Sequence, residues 1–318
     1  MIYHCVNEEC DLWGGGTSIP DRCPRCGGTL VRAEEDTLSG DNWAALGVFW
    51  LEKEDSRERA AACFRRSAAL GSGWGACNLG VCMEQGIGVE ADPRQAFWLY
   101  RQAVELGRLS ALCNLGVCYE QGIGTIPDPV KAAQLYHRAA DHGSARAQRL
   151  LARCYEHGIG VERDLEQSFQ WARMSALQGD VASQANLGKY YEFGVGVEQD
   201  PERAVSWYRK AAEGGDPEGQ CCLGYCYESG TGVEQDWEQA VHWYRKAAEA
   251  GSGRAMGNLA WCYEHGKGVE QDPEEAARWY RKGAEAGNPR SMCSLGYCYE
   301  TGSGVEQDWE QAAAWYRK

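Results

Sequence analysis

The chain reads as an all-α solenoid of about eight helical hairpins, preceded by a small β module. Three observations predict this. First, a leucine recurs every 36 residues, at Leu79, Leu115, Leu151, Leu187, Leu223, Leu259 and Leu295, and an aspartate keeps step at Asp92, Asp128, Asp164, Asp200, Asp236, Asp272 and Asp308. A fixed period of this size is the mark of a repeat array, in which no unit can bury its apolar face alone. Second, each period carries two stretches of helical apolar spacing separated by a Gly-x-Gly pair. Third, residues 1–35 do not share the period and hold four cysteines among runs of glycine.

Cys5, Cys10, Cys23 and Cys26 form two pairs, with four residues inside the first and two inside the second. Four thiolates satisfy tetrahedral zinc, and a module too short for a hydrophobic core needs such a staple. A structural zinc is the expectation, with iron in the same cage or four free thiols as the alternatives. A closed four-sulfur site offers no open position for catalysis. The stretch Cys23-Pro24-Arg25-Cys26-Gly27-Gly28 resembles the knuckle of a zinc ribbon or rubredoxin-like module. Residues 1–36 carry seven acidic side chains against Arg22, Arg25 and Arg32. A cap or docking module is therefore expected, rather than a nucleic-acid reader.

Residues 36–40 read as a linker, and residues 41–318 as the repeat array. The first unit is degenerate. Leu46-Gly47 stands 33 residues before Leu79-Gly80, and the glycine turn is replaced by LEKEDSRER. Terminal repeats depart from consensus because one face meets something other than a repeat. Later units start near Ser72, Arg108, Ser144, Asp180, Asp216, Ser252 and Asn288.

Within the sixth unit, Leu223, Cys226 and Tyr227 fall at i, i+3 and i+4, on one face of a first helix. Gly230 and Gly232 then turn the chain, since glycine tolerates positive φ. A phosphate-binding loop would need a preceding strand, and none is written there. Asp236 caps a second helix, and in four units the residue after the equivalent aspartate is Pro93, Pro129, Pro201 or Pro273, a helix-start signal. Ala240, Trp243, Tyr244 and Ala247 make its apolar stripe, and Gly251 ends it. The recurring pairs Arg209/Lys210, Arg245/Lys246 and Arg281/Lys282 suit a helix C-terminus or a solvated face. The fourth unit replaces Trp-Tyr with Trp171-Ala172 and is the most divergent.

The consensus L-G-x-C-Y-E-x-G-x-G-V-E-x-D-x-x-x-A-x-x-W-Y-x-K-A-A-E-x-G resembles the Sel-one-like repeat, a relative of the tetratricopeptide repeat, over roughly residues 41–318. That resemblance implies a right-handed α/α superhelix serving as a scaffold for protein complexes, with partners on its concave face. It also implies a comparison with secreted cysteine-rich relatives. Those pair a cysteine late in one second helix with one in the next first helix, and are associated with β-lactam binding or hydrolysis. Here the second-helix positions are Ala103, Ala211, Ala247 and Gly283, and no serine has lysine three residues on.

Twelve further cysteines lie in the array: Cys82, Cys118, Cys154, Cys226, Cys262 and Cys298 at one repeat position, Cys77, Cys113, Cys221 and Cys293 at another, with Cys63 and Cys222 beside them. They read as small reduced core residues, as expected of a cytoplasmic protein. A formal net charge of −14 argues against nucleic acid, no apolar run approaches the ~20 residues of a membrane span, and the opening MIYHCVNEEC lacks the basic-then-apolar pattern expected of a signal peptide. The six histidines are scattered, with no HExxH or nucleophile elbow, so no catalytic residue is expected.

The expected role is a non-catalytic adaptor for a protein or peptide, with a regulatory adaptor whose ribbon touches nucleic acid as the runner-up and a β-lactam-binding enzyme as the remote alternative. Three offsets on the first helices share one face by i, i+4, i+7 spacing. They nominate Asn114, Asn186, Lys189, Tyr225, Arg254, Asn258, Trp261, Arg290 and Tyr297 as partner-binding residues. The final second helix lacks the usual ending, which raises self-association through an uncapped end as a further expectation.

Overall fold

A computed structural model describes residues 2–5, 13–15, 30–33, 37–53 and 56–318. Its contacts divide the chain into two units, Met1–Glu162 and Arg163–Lys318. Among the described residues the repeat array is an all-α solenoid of sixteen helices.

The first unit opens with a three-stranded antiparallel sheet, β1 (Ile2–Cys5), β2 (Trp13–Gly15) and β3 (Leu30–Ala33), in the order β2-β1-β3. Cys5 closes β1, while the other three cysteines of the expected metal site, Cys10, Cys23 and Cys26, lie outside the described residues. Seven helices follow: α1 (Gly40–Leu51), α2 (Arg57–Ala69), α3 (Gly73–Gln85), α4 (Pro93–Glu105), α5 (Ser110–Gln121), α6 (Pro129–Asp141) and α7 (Ala145–His157). Within the stretch read as a linker, residues 38–40 are built into the fold. Leu38 packs with Ile2, Leu46 and Cys63 in one buried cluster, Ser39 closes a capping box with Asn42, and Gly40 already belongs to α1. The β module is thus seated on the first hairpin.

The second unit holds α8 (Leu165–Leu177), α9 (Val181–Phe193), α10 (Pro201–Glu213), α11 (Pro217–Ser229), α12 (Trp237–Glu249), α13 (Gly253–His265), α14 (Pro273–Glu285), α15 (Pro289–Thr301) and α16 (Trp309–Tyr316). Within this unit each first helix packs on its own second helix, and each second helix on the next first helix, as in α9 on α10 and α10 on α11.

Local chemistry sets these boundaries. The seven period aspartates, Asp92 to Asp308, each accept at the start of a second helix, Asp236 from the Gln239 N–H at 3.0 Å. Gly230 ends α11 in the left-handed region at φ 71. Gly232, at φ 70, does more than turn. A β-carbon there would stand 2.2 Å from the Pro201 carbonyl oxygen, at the start of α10 in the preceding repeat. The Gly-x-Gly is therefore both a chain reversal and a site of close backbone approach between repeats, which accounts for it without a phosphate.

The glycine after the period leucine has its own reason. A β-carbon at Gly224 would lie 2.7 Å from the Tyr244 ring, and Tyr244 is fully buried against it. Burying such an aromatic contributes roughly 2–3 kcal/mol. Its hydroxyl donates to Glu228 Oε2 at 2.5 Å, so the phenol's polar end is satisfied. The same tyrosine-to-glutamate bond recurs from Tyr100 to Glu84 and from Tyr280 to Glu264. In the fourth repeat both halves of the Gly–Tyr pattern are alanine, Ala152 and Ala172.

The Arg-Lys pairs differ from the expectation of a plain solvated face. Arg209, Arg245 and Arg281 donate to the hydroxyls of Tyr227, Tyr263 and Tyr299 in the following repeat, at 3.1, 2.8 and 2.7 Å. Lys210, Lys246 and Lys282 cover the Trp207, Trp243 and Trp279 rings at 3.9, 4.8 and 4.1 Å from the centroids. One residue ties repeats together, and its neighbour shields a half-buried indole.

The twelve array cysteines are free thiols, and all but Cys293 are buried. Burial pushes Cys118, Cys226 and Cys262 up to about 12, so these thiols are inert packing groups.

Candidate functional site

Of the nominated residues of the second unit, Lys189, Tyr225, Arg254, Asn258, Trp261 and Arg290 come together on its first helices, because the 36-residue period returns each offset to the same helix face. α9 lies beside α11 and α13 beside α15, and Arg254 on α13 reaches Glu218 on α11 at 3.2 Å. A groove of about 740 Å³ runs across them. Lys189, Glu192 and Phe193 line it from α9, Cys222, Tyr225 and Glu228 from α11, and Arg254 and Asn258 from α13. Asn288, Pro289 and Arg290 close it at the start of α15. A smaller cavity of about 240 Å³ adjoins, with Arg254, Asn258, Trp261, Arg290, Ser291 and Ser294 in its wall.

Tyr225, Trp261 and Tyr297 are 44%, 37% and 53% exposed, so they are available to a ligand instead of filling the core. They do not form one stacked row. Trp261 stacks on Trp237 at 5.8 Å between centroids and on His265 at 4.4 Å, which draws it toward the turn side of α13. Tyr225 stands in the large groove, Trp261 in the small cavity, and Tyr297 on the same helix face but in neither lining.

The charges are partly committed. Glu218, whose offset is occupied by Arg254 and Arg290 in the next two units, takes Lys189 at 3.0 Å and Arg254 at 3.2 Å. Burial works to raise the Glu218 pKa, but the hydrogen bond from Lys189 and the charges of Lys189 and Arg254 outweigh it and hold the carboxyl below its ordinary value. Glu192 and Glu228 accept from the hydroxyls of Tyr208 and Tyr244. Burial raises the Cys222 thiol even with Arg254 beside it, so this groove residue is an uncharged wall.

Asn186 is half-buried on α9 outside both linings. Asn114 belongs to the first unit, where its amide is engaged. It accepts from Arg146 at 2.9 Å and its Nδ2 points to Cys77 Sγ at 3.8 Å. Sequence reasoning missed Phe193 and Cys222 in the groove wall, and Glu218 as the carboxylate that Lys189 and Arg254 share. The substitution of an acid for Arg or Ala at the Glu218 offset was the signal that could have found it.

The Sel1 repeat pattern matches eight successive stretches, residues 45–72, 75–107, 109–144, 145–180, 181–216, 217–252, 253–288 and 289–318. The chain belongs to the Sel1 repeat family. A Sel1 repeat protein from Oxalobacter formigenes is 32% identical, with a TM-score of 0.69 over 76% of this chain and 96% of that one. The protective antigen c5321 of uropathogenic Escherichia coli, which displays the same repeat fold, is 30% identical over 87% of this chain and 76% of its own, with a TM-score of 0.49. A comparison with curated proteins gives no match. Sel1 repeat solenoids mediate contacts between proteins, and no described helix of this member is long and apolar enough to cross a membrane.

Proposed function

We propose that this Sel1 repeat protein is a non-catalytic adaptor that holds a segment of a protein partner in the groove of residues 163–318. The observation that carries the reading is the groove itself, with an exposed aromatic, Tyr225, beside cations on adjacent first helices. Aromatic and arginine side chains are the usual anchors of interfaces, each worth about 2 kcal/mol or more. Neighbouring helices lie about 8–10 Å apart, so four first helices span roughly 30 Å, the length of about nine extended residues. Display selection of random nine-residue segments against the full chain tests it. Enrichment of a related family of segments supports the adaptor reading, and a selection that enriches nothing overturns it.

The β module is read as a zinc ribbon with Cys5, Cys10, Cys23 and Cys26 as ligands. The cysteine spacing supports this, and Cys5 ends a strand of the described sheet. Cys5 ends β1 opposite Leu30, four residues beyond Cys26, while His4 pairs with Trp13, three residues beyond Cys10. Metal analysis should find one zinc per chain, lost in Cys23→Ser, and a metal-free purified chain would remove the ribbon from the account. The free thiols of the array support a reducing, cytoplasmic setting.

A further inference from the structure

The three cations of the groove are not equivalent. Lys189 and Arg254 share the Glu218 carboxylate. Arg290 sits exposed in the first turn of α15, with no ion pair or hydrogen bond among the described residues. The half-buried Asn258 amide, across the small cavity from it, is likewise without a protein partner among the described residues. The cavity wall carries Arg254, Arg290 and the first turn of α15, set against one carboxylate, Glu228, whose Oε2 already accepts from Tyr244. The wall is thus net positive within a chain whose formal charge is −14, and the N-terminal end of a thirteen-residue helix adds to that field.

We propose that this small cavity takes the carboxylate of an aspartate or glutamate in the bound segment. The inference rests on the adaptor reading and names the chemistry of its partner: an acidic residue in the cavity, with an apolar residue beside Tyr225 and Phe193. The Arg290 guanidinium offers a planar pair of N–H donors that match a carboxylate. Asn258 supplies one further donor from Nδ2, and Arg254 adds charge while Glu218 holds it in place. The cavity volume, about 240 Å³, suits one side chain and not a chain of them.

The test fixes each of the twenty residues in turn at each place of a nine-residue library, applied to the full chain and to Arg290→Gln, Arg254→Gln and Arg290→Lys. Arg290 is exposed, so its variants should keep the wild-type circular dichroism. The expected result is a preference for Asp or Glu at one place, with binding about tenfold weaker in Arg290→Gln. That acidic preference should be lost while the apolar preference at other places remains. Arg290→Lys should restore part of the acidic preference, since it keeps the charge but not the fork. Binders with no acidic preference, or an acidic preference unchanged in both Arg→Gln variants, would overturn the inference and leave the groove standing. A library that yields no binder at all would remove the adaptor reading as well.

Discussion

Replacing Gly232 by alanine tests the packing that builds the groove. At φ 70 the residue sits in the left-handed region, where a side chain costs roughly 1–2 kcal/mol. The added β-carbon would also stand 2.2 Å from the Pro201 carbonyl oxygen, 2.5 Å from its carbon and 3.0 Å from the Glu202 nitrogen. All three are backbone atoms held by α10, so the repeats must separate, at a cost of about 1–3 kcal/mol by analogy with overpacked cores. Gly230→Ala is the matched control. Its φ is 71, but the nearest atom to the new β-carbon is Gln235 Cβ at 3.4 Å, an ordinary contact. Both changes remove the same glycine freedom from the unfolded chain, so the difference between the variants isolates the contact between repeats. Urea unfolding followed by circular dichroism should place Gly232→Ala about 1–3 kcal/mol below Gly230→Ala. It should also broaden the transition, because a weakened neighbour term uncouples a linear array. Equal midpoints and widths for the two variants would refute the reasoning.

Alkaline pH should destabilise the array. Burial pushes Cys118, Cys226 and Cys262 up to about 12, and Cys82, Cys154 and Cys298 up to about 11, from an ordinary 9.0. The unfolded chain releases these protons first, so stability is complete below about pH 9 and falls as pH rises through 11 to 12. A urea midpoint that stays flat from about pH 8 to about pH 11 would contradict this. Alkylation of native protein, mapped by mass spectrometry, should label Cys293 promptly and the other eleven array cysteines only in denaturant. Several array thiols found as disulfides after purification without reductant would contradict the reducing setting.

The hairpins, caps and turns were legible because each depends on residues near in sequence. Asp236 caps the helix that starts at the next residue by accepting from an N–H three residues on, and Gly230 ends the helix it follows. The period then brings equivalent offsets together, so Lys189, Tyr225, Arg254, Asn258 and Arg290 could be nominated from one helix face. What was not legible depends on pairs across elements. Gly224 is glycine because Tyr244, twenty positions on, lies against it. Arg245 reads as a helix-end cation until the Tyr263 hydroxyl of the next repeat is set beside it. Glu218 looks like one variable residue until Lys189 and Arg254 converge on it from two other helices. Trp261 fits the aromatic offset, but Trp237 and His265 reach its ring from the turn side. Leu38 reads as linker because its apolar partners, Ile2, Leu46 and Cys63, are spread over three elements.

The central claim is that partners bind across the first helices of residues 163–318. The most direct measurement is the affinity of one library-selected segment, by fluorescence anisotropy, for the wild-type chain, Tyr225→Ala and Trp98→Ala. Both residues are exposed aromatics, at 44% and 58%, but Tyr225 lines the groove and Trp98 lies on α4 of the first unit. Tyr225→Ala should weaken binding by about tenfold or more with the unfolding midpoint unchanged, while Trp98→Ala leaves the affinity as it was. Binding that survives Tyr225→Ala intact, or falls equally in both variants, would place the partner site elsewhere.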